Sequence, residues 1–140
     1  MRNLLLAALL LATAPLHAFE MRVVMTTNIR EVCHSVDTAC TNFDLTTLYC
    51  ACFLRAGAWK ATAKITSKPI VYLSNRIYLV HELSHMFDFD RASRDYTRAI
   101  EAMSFGSRGA CEAFVGNARQ TFPDFMRDVM RESMRLRDHF

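Results

Sequence analysis

Val80-His81-Glu82-Leu83-Ser84-His85-Met86 is the stretch from which the rest of the chain can be worked out. Its neighbours, Ile77-Tyr78-Leu79 before it and Phe87 after it, are also apolar. The run therefore predicts a helix that is apolar on almost all faces, a central buried element rather than a surface one. In such a helix His81 and His85 are i and i+4, and their imidazoles leave one face about one turn apart. That spacing lets two ring nitrogens reach one Zn2+ ion, with Glu82 placed to take a proton from a metal-activated water. The bland alternative is two core histidines and a buried glutamate. An unpaired carboxylate on an apolar helix is costly, and a metal site removes that cost.

Residues 1–18 have the form of a secretory leader. Arg2 supplies a positive start, Leu4 to Ala14 an apolar run, and Pro15-Leu16-His17-Ala18 an end suited to cleavage near Ala18. The apolar run is too short to span a bilayer, which takes about 20 residues. An 18-residue leader taken from 140 leaves 122 residues, 19–140, the size of one domain. The net charge of +3 falls to +2 without Arg2, a balance that argues neither for nor against nucleic acid; with no dense basic run before the C-terminal helix, no nucleic-acid partner is expected. No second apolar segment provides a stable membrane anchor, so the mature chain is expected to be secreted or periplasmic.

Cys33, Cys40, Cys50, Cys52 and Cys111 all follow the leader, and no C-x-x-C pair is present. In an oxidising compartment disulfides are then expected rather than a zinc-thiolate site. Cys33 with Cys40 is the first expectation, and Cys111 with either Cys50 or Cys52 the second. The odd thiol stays free or pairs between chains.

Alternation of Met21, Val23 and Met25 with Arg22 and Val24 predicts a first strand within 19–27. Asn28 is a candidate cap for a short helix through Ile29 and Cys33. Residues 34–47 read as an irregular loop, with His34 at the surface. Residues 48–54 and the alternating run from Trp59 to Thr66 flank a turn at Arg55-Ala56-Gly57-Ala58. Ile70 to Leu73 supplies a further strand, giving a small antiparallel meander of three or four strands. Ser74 is the expected N-cap of the motif helix, which should end near Phe89-Asp90. Three more helices are expected, over 92–103, 110–120 and from Pro123 onward, the last starting on the proline.

A strand followed by a capped apolar helix with His81-Glu82-x-x-His85 resembles the zincin superfamily of zinc metallopeptidases, over about residues 59 to 116. The resemblance implies that His81 and His85 bind a single zinc ion and that Glu82 is the general base. It also implies that the strand near Ile70 to Leu73 lies along an extended substrate peptide. The metzincin extension is absent, since Arg91 stands where that pattern has its third histidine. The gluzincin pattern, with a glutamate from a downstream helix, fits better. Glu112 is the leading third ligand, because Ala110, Ala113 and Gly116 would let its helix approach closely; Gly109 as an N-cap would instead make Glu112 a capping residue. Glu101, Asp88 and Asp90 are alternatives, with Asp88 expected to orient an imidazole more than to bind the ion. Tyr78, Tyr96 and His139 are candidates for stabilising the oxyanion.

The expectation is an α+β domain, a small antiparallel sheet packed on a central HExxH helix with two or three further C-terminal helices. The expected activity is that of an exported zinc metallopeptidase acting on a peptide or protein. The competing expectation is a non-catalytic secreted binding or inhibitor module, with a structural metal or none.

Overall fold

The computed structural model describes residues 20–34 and 38–138. The expected leader and His139 lie outside the described residues. In chain order the elements are β1 (Arg22–Met25), α1 (Ile29–Cys33), β2 (Ala39–Asn42), β3 (Thr46–Arg55), β4 (Ala58–Ser67), β5 (Ile70–Leu73), a 3-10 turn (Arg76–Tyr78), α2 (Leu79–Glu101), β6 (Ser104–Phe105) and α3 (Arg108–Arg137). The class is α+β, as expected.

The strands form two three-stranded sheets and not one meander. One has the order β1-β5-β2, with β1 parallel to β5 and β2 antiparallel; the other is the antiparallel β3-β4-β6. Hairpin β3-β4 turns on Ala56 and Gly57, both with positive φ (50° and 77°), the two-residue geometry that matches strand twist. At Ser67-Lys68-Pro69 the chain leaves this hairpin, and β5 becomes the centre of the other sheet. Because β1 and β2 occupy both of its edges, β5 cannot pair with a substrate peptide. The edge strand beside the motif is β2, hidden within the stretch expected to be irregular. Its four residues Ala39-Cys40-Thr41-Asn42 carry no hydrophobic alternation that would reveal a strand.

Both sheets share α2 and α3 as their cover. Phe43, Val71, Leu73, Met86, Phe89 and Phe122 make one apolar cluster; Cys50, Ala61, Ile100, Cys111, Val115 and Ala118 make the other. The motif helix runs on to Glu101, absorbing the separate helix expected over 92–103. Its N-cap is Tyr78, with no side-chain cap bond. Asn75 instead caps the 3-10 turn that leads into it, accepting from Ile77 N at 3.0 Å, while the expected cap Ser74 bonds Thr38 O through both N and Oγ. The remaining two expected helices are one, α3, because Pro123 lies inside it. A proline there removes one backbone bond and costs about 3 kcal/mol. Phe122, Phe125, Met126, Val129 and Met130 pack into the first apolar cluster and Val115 and Ala118 into the second, which offsets that cost.

Nor is α2 buried all round. Ile77, Val80 and Phe87 are 70% or more exposed, while Glu82, His85, Met86, Asp88, Phe89, Ser93, Thr97 and Ile100 are buried. The sheets cover one side of the helix and α3 a second, and no element among the described residues covers the Val80–Phe87 side.

Disulfides join Cys33 to Cys40 and Cys52 to Cys111, leaving Cys50 as a buried free thiol. The first ties α1 to β2, the second β3 to α3, and both place the chain in an oxidising environment. Among the described residues no helix is long and apolar enough to cross a membrane. Closing the short Cys33–Cys40 loop restricts the unfolded chain by about 2.5 kcal/mol. The double variant Cys33→Ala/Cys40→Ala should lose about that much stability in urea unfolding.

Candidate metal and hydrolytic site

Helix α2 sets His81 and His85 one turn apart, with Nε2 atoms 3.1 Å from each other. The third member of the group comes from the far end of the chain. Asp138, the residue just past the end of α3, places Oδ1 3.0 Å from His81 Nε2 and 3.4 Å from His85 Nε2. Two imidazoles and a carboxylate are a donor set zinc accepts. Donors on a tetrahedral zinc at ~2.0–2.1 Å lie roughly 3.3 Å apart, which these separations match. The His81 side chain is 42% exposed and that of His85 6%, so one flank of the group is open to solvent. The residues therefore fit a metal with a free coordination position. A single proton on His81 Nε2, shared between His85 and Asp138, would satisfy the same three atoms.

His85 is held from behind. Its Nδ1 lies 2.7 Å from Ser133 Oγ, and Ser133 Oγ donates to Asp88 Oδ2 at 2.7 Å. A carboxylate only accepts, so the one hydroxyl proton of Ser133 is committed to Asp88 and its oxygen accepts from His85 Nδ1–H. The proton on Nδ1 leaves the Nε2 lone pair facing His81 and Asp138, the tautomer a metal ligand needs. Asp88 thus orients the imidazole, as expected, but through Ser133. Hydrogen bonds from Arg137 at 3.0 and 2.9 Å, with the Ser133 bond beside them, hold the Asp88 carboxyl below its ordinary range despite burial.

A lowered folded-state value means that Asp88 stabilises the fold above its unfolded pKa of about 3.9 and loses this as pH falls through the folded value. Urea unfolding of wild type and Asp88→Asn should therefore differ most at neutral pH, and the difference should shrink below about pH 4.

Glu82 is 4% exposed, and Thr41 Oγ1 of β2 donates to its Oε2 at 2.7 Å. This bond supplies a partner for a buried carboxylate. Glu82, both histidines and Asp138 line one cleft of about 400 Å³, walled by Thr38 to Thr41, Tyr78, Met130 and Met134.

Glu112 is not in this cleft. It pairs with Arg108 at 2.6 Å in the first turns of α3, half exposed, and 26 residues of helix, roughly 39 Å, separate it from Asp138. Ser107, not Gly109, caps this helix, accepting from Ala110 N at 3.1 Å. Glu101 is likewise distant, its Oε1 accepting from Ala63 N at 3.3 Å on β4, and Asp90 pairs with Arg94. Of the oxyanion candidates Tyr78 lines the cleft. Tyr96 instead donates to Ala118 O at 3.3 Å between α2 and α3, where burial raises its pKa. His34 is exposed at the end of α1. Asp138 has no sequence signal: it lies in no motif, and only the docking of α3 brings it to the histidines.

Compared with known proteins, the chain matches no family model, no curated protein and no solved structure. The chemistry of the site rests on its own geometry.

Proposed function

We propose that the chain is an exported, periplasmic or secreted, zinc-dependent hydrolase of the zincin type that cuts peptide bonds. The observation that carries this reading is the convergence of His81 Nε2, His85 Nε2 and Asp138 Oδ1, 3.0–3.4 Å apart, in the cleft that holds Glu82. When bound there, zinc would acidify a water in the cleft and polarise the scissile carbonyl. Glu82 is the general base: it takes the proton of the attacking water and returns it to the leaving amine. Thr41 holds Oε2 of Glu82, which leaves Oε1 for the proton. Tyr78, which lines the cleft, is the residue we assign to the developing oxyanion.

The cleft suits an extended peptide. Ser74 N bonds Thr38 O on the β5 side of β2, so by antiparallel alternation the main-chain groups of Ala39 and Thr41 face the edge that no described strand covers. A peptide adding to that edge would gain backbone hydrogen bonds beside Glu82. Met130 and Met134 offer an apolar wall for one of its side chains.

The test is metal analysis with hydrolysis of fluorescein-labelled casein. The protein purified without chelators should carry about one equivalent of zinc, lose activity with 1,10-phenanthroline and regain it with zinc. Zinc bound without hydrolysis would instead indicate a binding module, and no zinc after dialysis against the metal removes the reading.

A further inference from the structure

The last turns of α3 reach α2 through three residues that lie within six positions of one another. Ser133, 2% exposed, sits between His85 Nδ1 and Asp88 Oδ2 at 2.7 Å from each. One turn later Arg137 grips the same Asp88 with two bonds, Nε to Oδ2 at 3.0 Å and Nη2 to Oδ1 at 2.9 Å. The following residue is Asp138. Its backbone N–H still bonds Met134 O at 2.9 Å, but its side chain is 47% exposed and lies past the last helical residue. Residues at a helix end open locally at a free-energy cost near zero unless something else holds them. Here what holds them is Asp88, an 8% exposed carboxylate that accepts a bidentate guanidinium on one side and a buried hydroxyl on the other. Bidentate, charge-assisted pairs of this kind are much stronger than ordinary surface pairs.

We infer that Asp88, Ser133 and Arg137 form one positioning device for the metal centre, docking the end of α3 so that Asp138 meets the histidines, and fixing which nitrogen of His85 faces the ion. The inference rests on the metal-binding part of the reading above and not on hydrolysis. Two effects act together. A ligand that is docked only part of the time binds with an affinity reduced by that fraction, so releasing Arg137 weakens the site without removing a donor. Removing the Ser133 oxygen deprives His85 Nδ1–H of its acceptor, and the ring then loses both its orientation and its tautomer bias. Losses of this kind lower metal affinity by about 10–100-fold. None of the three residues is among the candidate donors; their role is to present those that would hold the ion.

The experiment is a zinc titration of the chelator-stripped full chain against a chromophoric competing chelator, with thermal unfolding measured with and without zinc. Ser133→Ala and Arg137→Leu should each lower zinc affinity about 10–100-fold and shrink the zinc-induced rise in Tm, with Arg137→Lys in between because an ammonium cannot form the fork. Arg135→Leu, which breaks the exposed Arg135–Glu132 pair in the same turn, is the control and should bind zinc as wild type does. Should Ser133→Ala fail to fold, the half-exposed Arg137 variants carry the test. Zinc affinities equal to wild type in Arg137→Leu and Ser133→Ala would overturn the inference while leaving the site. A wild type that binds no zinc would remove both. Tight zinc binding with no hydrolysis would remove the hydrolase reading alone.

Discussion

Replacing Glu82 by glutamine should leave the zinc content unchanged and lower casein hydrolysis by roughly 10²–10⁴-fold, the range a positioned general base contributes. The substitution is close to isosteric, and the glutamine carbonyl can still accept from Thr41 Oγ1, so β2 stays tied to α2. What it removes is the ability to accept a proton. The three converging donors come from His81, His85 and Asp138, so the metal should stay. Metal content and turnover measured on the same sample separate the outcomes. Hydrolysis at the wild-type rate would place the base elsewhere, and loss of zinc along with activity would make Glu82 a ligand.

Asp138→Ala should weaken zinc binding about 100-fold or more, whereas Glu112→Ala should leave it unchanged. A four-ligand zinc site is worth about 10–16 kcal/mol, so one ligand accounts for roughly 2.5–4 kcal/mol. The end of α3 would remain docked in this variant, because Arg137 and Ser133 still hold Asp88. Its deficit therefore reports a missing donor and not a displaced helix. Glu112 loses only an exposed pair with Arg108, worth about 0–1 kcal/mol. A competition titration with a chromophoric chelator reads both. Wild-type affinity in Asp138→Ala would remove the carboxylate from the ligand set.

Much of the fold and part of the candidate site are legible in the sequence, for a local reason. The i, i+4 placement of His81 and His85 follows from helix pitch, and the turn at Ala56-Gly57 from the alternating strands on either side. Cys33 and Cys40 are close enough in sequence for their pairing to be an early expectation. The same local rules misjudged α2. Val80 and Phe87 are apolar and exposed, while Glu82, His85 and Asp88 are polar and buried, the reverse of what hydrophobicity alone indicates. These polar residues are satisfied by Thr41, Ser133 and Arg137, partners that lie 41 to 49 positions away. No window on the sequence contains both members of such a pair.

The chain order of residues thus carries the α+β class, the hairpin, the disulfide-forming habit and the two histidines with their glutamate, because each depends on periods and contacts within a turn or a pair of strands. The parallel pairing of β1 with β5, the edge position of β2, the passage of α3 through Pro123 and the arrival of Asp138 depend on how distant elements pack. Packing across two sheets offsets the ~3 kcal/mol that a proline costs a helix. It also brings the end of one helix to the middle of another, and that contact completes the candidate site.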